Sequence, residues 1–127
     1  MRQRNGIDYY MDYLTQFHES MEEIVMLAAH AENRDPESLK LDILKQMESL
    51  LTSWNDVLDD EPPFELFDIP EQKRTLIMKF IKDESEALSQ LESALQHNGM
   101  SDIIREAKGI KAPFVRLYLS FGNFEGV

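Results

Sequence analysis

The chain contains no cysteine. That excludes disulfides, thiolate catalysis, iron–sulfur clusters, covalent haem attachment and cysteine-rich zinc sites together. Histidine is scarce, at three residues, and glycine and proline number only five each. No stretch approaches the roughly eighteen apolar residues of a membrane span, so no transmembrane helix is expected. The opening segment MRQRNGIDYYMDY turns acidic and aromatic where a signal peptide is apolar, so a cytoplasmic protein is expected. There is no glycine-rich phosphate loop, nucleophile elbow or catalytic triad context, and the expectation is a non-enzyme.

What is present describes one domain. The 127 residues suffice for a real core, and 43% apolar with 29% charged residues is ordinary globular composition. The net charge is −11, and it is unevenly spread. Residues 105–127 carry Arg105, Lys108, Lys111 and Arg116 against Glu106 and Glu125, a balance of +2, which leaves −13 on the rest. Such an acidic body repels phosphate backbones, so nucleic acid is not an expected partner.

Helical spacing runs nearly end to end. A first helix over 7–33 carries Tyr10, Leu14, Phe17, Met21, Ile24, Ala28 and Ala31 at three- and four-residue steps. Asp35 as N-cap and Pro36 at the first helical position start a second helix reaching about Asp60. Its stripe includes Ile43, Leu44, Met47, Leu50, Leu51, Trp54, Val57 and Leu58, a face broad enough for two neighbours. Residues 61–69, with Pro62 and Pro63, form the one long connection, and its apolar Phe64, Leu66, Phe67 and Ile69 should fold back over the bundle end. A third helix runs from Pro70 to about Gln96 and closes at His97-Asn98-Gly99, with Gly99 expected as a left-handed cap. Ser101 is expected to cap a fourth helix, whose stripe is Ile103, Ala107, Ile110, Phe114, Leu117 and Phe121. Short first and third connections make neighbours antiparallel. The expected fold is therefore all-α: an up-down-up-down antiparallel four-helix bundle with a long proline-containing loop between helices 2 and 3.

One charge stands out. Glu84 projects into the middle of the third helix's expected buried stripe, between Leu76, Ile77, Phe80 and Ile81 on one side and Ala87, Leu88, Leu91 and Leu95 on the other. At about 100° per residue it faces the core. A carboxylate there must be paired, protonated or reached by water, since burying it alone costs several kcal/mol, roughly. Lys111 and His18 fall at a similar height, so a Glu84–Lys111 or Glu84–His18 pair is expected. Such a pair would either set helix register or mark an interior ligand site comprising Glu84, Lys111 and His18.

Metal and haem readings find little support in the sequence. No Glu-x-x-His motif of the di-iron bundles occurs. His18-x-x-x-Glu22 resembles part of a haemerythrin-like site, but only His30 and His97 remain, and His30 lies about 120° around the helix from His18. The small cytochrome bundles are similar in helix count and length, yet the fourth helix here has no axial histidine. Glu106-Ala107-Lys108-Gly109 resembles the histidine phosphotransfer motif, but Arg105 stands at the phosphorylated position. No metal and no cofactor is expected.

The C-terminal segment is the other anomaly. No acidic residue occurs between Ala107 and Phe124, and four of the twelve aromatics, Phe114, Tyr118, Phe121 and Phe124, lie near its end. Pro113 lacks a backbone N–H and crowds the carbonyl of Gly109, so a kink is expected, or else a break near Lys111-Ala112 with a fresh short helix beginning at Pro113. Beyond it Val115 and Leu119 lie off the core stripe, and a helix apolar on more than one face is usually covered. The expected function is protein–protein contact or self-association, with a homodimer as the simplest form, through Phe64, Phe67, Val115, Tyr118, Leu119 and Phe124. The alternative is a small-ligand, haem or metal-binding bundle around Glu84.

Overall fold

The computed structural model describes residues 6–59, 61–97 and 99–122. Among them there are five α-helices and no strand: α1 (Gly6–Ala29), α2 (Pro36–Asp59), α3 (Glu71–His97), α4 (Met100–Gly109) and α5 (Lys111–Gly122). The last two continue one another as a single rod, giving a four-rod helical bundle among the described residues. None of these helices is long and apolar enough to cross a membrane.

Amphipathic stripes decide the packing. Tyr10, Leu14, Phe17, Met21, Ile24 and Ala28 of α1 are all buried, as are the six stripe residues from Ile103 to Phe121. Phe17 sits where three rods meet, its ring centroid 4.8 Å from Trp54 of α2 and 4.9 Å from Phe114 of α5. Pairings run in opposite directions along neighbouring helices. Phe17 meets Trp54 while the later Ser20 hydroxyl lies 3.1 Å from the earlier Ser49. Tyr10 likewise meets Phe121, at 5.3 Å, while Phe17 meets Phe114. Thus α1 is antiparallel to both α2 and α5.

The α1 end differs from expectation. The α-helix stops at Ala29, and a 3-10 turn at Ala31–Asn33 follows. Ala31 consequently leaves the buried stripe and is only half-buried. The Asp35 carboxylate then accepts the Ser38 backbone N–H at 3.1 Å, an N-cap that satisfies one orphan donor of α2. Arg34 binds Asp42 across the same turn.

The second connection is a hydrogen-bonded turn. Phe64, Phe67 and Ile69 donate to the carbonyls of Pro62, Pro63 and Phe64 at 2.8, 3.2 and 3.0 Å. Asp68 takes the left-handed conformation, φ 56°, which Asp tolerates better than most residues. Phe64 and Phe67 are buried, the latter 4.8 Å from Phe121. Arg74 fastens the turn to α3, donating to the Ile69 carbonyl at 3.1 Å with its guanidinium over the Phe64 ring.

Three expectations are corrected. Gly99 is not a left-handed cap: at φ −80° and ψ 172° it is extended and forms the N-cap of α4. Its carbonyl accepts the Ile103 N–H at 3.2 Å, and Ser101 lies inside the first turn instead of capping it. The interruption of the last rod falls at Ile110, and α5 starts at Lys111 rather than at Pro113. Pro113 thus occupies the first turn of α5, where a missing N–H costs no intrahelical bond. Gly109 is not needed for space, since a Cβ there would meet nothing within 4 Å. The third correction concerns α2, which packs chiefly on α1 and only sparsely on α3. Leu44 and Leu58, expected in the core, are therefore 41% and 46% exposed. Asp60 and Asn98, expected at helix ends, lie outside the described residues.

Phe17→Ala removes the ring shared by three rods. We expect a loss of about 3–5 kcal/mol in urea unfolding, whereas Leu44→Ala, on the open side of α2, changes stability by less than about 1 kcal/mol.

Candidate functional site

Two places hold the residues expected to carry function, and the interior one comes first. Glu84 is fully buried, and neither carboxylate oxygen has a hydrogen-bond partner among the described residues. Burial alone pushes its pKa up to about 9, because desolvation penalises the charged form. The side chain is therefore a neutral carboxylic acid at pH 7. Its sequence neighbour Ser85 accepts the Trp54 indole N–H at 3.0 Å, so the level of Glu84 is tied to α2 through the adjacent residue.

The expected partners lie elsewhere. Lys111 Nζ is 3.2 Å from Glu22 of α1, and His18 Nε2 is 3.4 Å from the same carboxylate oxygen. His18, Glu22 and Lys111 form a partly exposed surface trio, and the expected pairing of Glu84 with Lys111 or His18 does not form. The reason is rotational: Lys111 lies on the α1 side of its rod. Helical periodicity gives the angle of a residue but not which neighbour stands there. Among the described residues no group of three or more His, Asp or Glu side chains could hold a metal ion. None of the clefts described below is lined by Glu84.

The second place is the outer face of α5. Leu117, Phe114 and Phe121 point inward, which turns Leu119 almost directly away from the core at about 100° per residue. Leu119 is 53% exposed and forms a ridge with a cleft on each side. Towards α1, a cleft of about 200 Å³ is floored by Phe114, Val115 and Tyr118 and walled by Thr15 and His18. The His18 ring stacks on Phe114 and Tyr118, with centroids 5.9 and 6.5 Å away. Towards α3, a groove of about 260 Å³ is lined by Leu76, Ile77 and Phe80, with Lys73 and Arg116 among its walls. Leu76, placed in the core by sequence, is 48% exposed at this groove.

Of the six residues expected to make contacts, Val115, Tyr118 and Leu119 gather on this face. Phe64 and Phe67 instead belong to the core under the second connection, and cannot present their rings to a partner. Phe124 lies outside the described residues. Sequence reasoning missed Leu76, Phe80 and Lys73 as surface groups beside α5. Their helical angle was legible, but the groove left between α3 and the outer face of α5 was not. The chain matches no protein-family model, no curated protein and no solved structure.

The Glu84 acid has a defined pH signature. In the folded chain it keeps its proton up to about pH 9, whereas its ordinary value is 4.5. Between those limits the folded state binds more protons than the unfolded state, so stability falls as pH rises. Its full contribution is present below about 4.5 and lost above about 9. Glu84→Gln removes this component. The stability difference between variant and wild type should grow with pH by up to about 1.4 kcal/mol per unit between pH 5 and 8. Urea titrations at several pH values measure it, and a difference that stays constant across that range contradicts the neutral buried acid.

Proposed function

We propose that this chain is a non-catalytic helical bundle that works through protein–protein contact, with the outer face of α5 as its contact surface. The observation that carries the reading is the Leu119 ridge, an exposed leucine between two apolar clefts on a rod whose opposite face is already buried in the core. A helix with a filled inner face and a second apolar face has that second face for a partner. Leu76, Val115 and Tyr118 extend the apolar surface to both sides of the ridge. A cytoplasmic setting belongs to the same proposal and rests on the cysteine-free composition.

The interior alternative, a small-ligand, haem or metal site around Glu84, has one observation in its favour: the unpartnered carboxyl group. His18 and Lys111, which were to complete that site, are committed to Glu22 at the surface. The α5 face is the better-supported site.

A photo-crosslinking side chain introduced at Leu119, and as a control at exposed Lys45 of α2, tests the surface in cells that express the protein. The expected result is a discrete protein adduct from position 119 that is absent from position 45. An adduct of twice the chain mass identifies a homodimer, and any other mass a different protein. Adducts equal at the two positions, or none at 119, contradict the proposal. Leu119→Glu should abolish the contact while changing unfolding stability by less than about 0.5 kcal/mol, since the side chain is half exposed.

A further inference from the structure

We propose that the groove between α3 and α5 receives an acidic amphipathic helix from a different protein. The inference rests on the contact-surface reading above and names the partner of one of its two clefts.

Charge is the first ground. The groove walls include Lys73 and Arg116 and no carboxylate. No ion pair of either cation is found among the described residues, so both charges remain open to a partner. The nearby Asp83 of α3 is already held by Lys79 at 3.3 Å. On a chain of net charge −11, this groove is a local inversion of sign. Cations at the margin of an apolar groove select an acidic partner and accelerate its encounter.

Shape is the second. The lining residues of α3 run from Lys73 to Phe80, seven residue steps or about 10 Å along the helix axis. A partner helix of two to three turns spans that length, with apolar residues at i, i+3 or i+4, and i+7 seated between Leu76, Phe80 and Leu119. At about 260 Å³ the groove falls below the roughly 300–1,000 Å³ of pockets that enclose small molecules.

A second copy of this chain fits less well. In a closed two-fold dimer a patch meets itself, so the two cations of one groove would face the same two cations of the other while two bodies of −11 approach. An anionic membrane offers the two cations a partner but repels the rest of the chain.

The test uses the full chain as bait against a phage-displayed library of amphipathic helices with randomised flanking positions. The expected outcome is enrichment of sequences with Asp and Glu flanking an apolar stripe. Binding of one enriched peptide, followed by fluorescence anisotropy, should weaken about tenfold in the Lys73→Glu/Arg116→Glu double variant. It should also weaken as salt rises, and be lost in Leu119→Glu. Lys73→Gln/Arg116→Gln, a milder change at two exposed positions, should fall between wild type and the charge reversal. Enrichment of neutral or basic flanks, no enrichment, or binding indifferent to the charge reversal overturns the inference. If Leu119→Glu abolishes binding while the reversal leaves it intact, the contact surface stands and the acidic partner falls. The same holds if the wild type forms a concentration-dependent dimer that Leu119→Glu dissociates. Binding only to phosphatidylglycerol vesicles overturns both readings.

Discussion

A chain of four side chains ties the rods of this bundle together at one level. Phe114 of α5 packs on Phe17 of α1, Phe17 packs on Trp54 of α2, and the Trp54 indole N–H reaches Ser85 of α3. Each link is of a kind that tolerates little displacement: tilted rings at under 5 Å, then a directional hydrogen bond. Because α2 meets α3 only sparsely elsewhere, the Trp54–Ser85 bond carries much of the definition of that seam. Where the seam is not closed, Leu44 and Leu58 remain in contact with water.

The same level contains a group that works against stability. Glu84 follows the inward stripe of α3 and is fully buried, yet nothing bonds its oxygens among the described residues. A buried ion pair can fix helix register, but a carboxylic acid without a counter-ion cannot do so by pairing. It survives by taking up a proton, and the cost of that uptake is what makes stability depend on pH. Tyr10 is a weaker case of the same kind: its hydroxyl is buried without a partner, and desolvation raises its pKa. Both groups sit on otherwise apolar stripes, so the core accepts a polar tip wherever the rest of the side chain packs well.

Much of the fold was legible in the sequence because inward stripes depend on periodicity alone. The stripes of α1 from Tyr10 to Ala28 and of α4–α5 from Ile103 to Phe121 are buried at every expected position. The inward aim of Glu84 was legible for the same reason. What could not be read was anything depending on how two helices stand against each other. Lys111 and His18 were expected at the height of Glu84 but meet Glu22, because α1 stands beside that flank of the last rod. Leu44 and Leu58 have the right angle for a wide core face and are exposed because α3 meets α2 only sparsely, while Leu76 is exposed in the groove beside Leu119 of α5. Gly99 shows the limit for caps: one glycine between two helices can end the first or begin the second, and its residue type does not distinguish them.

The break in the last rod links these packing facts to the surface. An uninterrupted helix would have to carry Pro113 in its interior, at the cost of a hydrogen bond and a clash with the preceding turn. Restarting at Lys111 places the proline in a first turn, where neither penalty applies in full. The restart keeps Phe114, Leu117 and Phe121 on the core side, and the residues between them are thereby fixed outward. Leu119 is thus exposed as a geometric consequence of burying its neighbours. A polar residue would serve the bundle equally well at that position. The fold of the single chain therefore leaves the choice of side chain at position 119 open, and the contact surface proposed above would use that freedom.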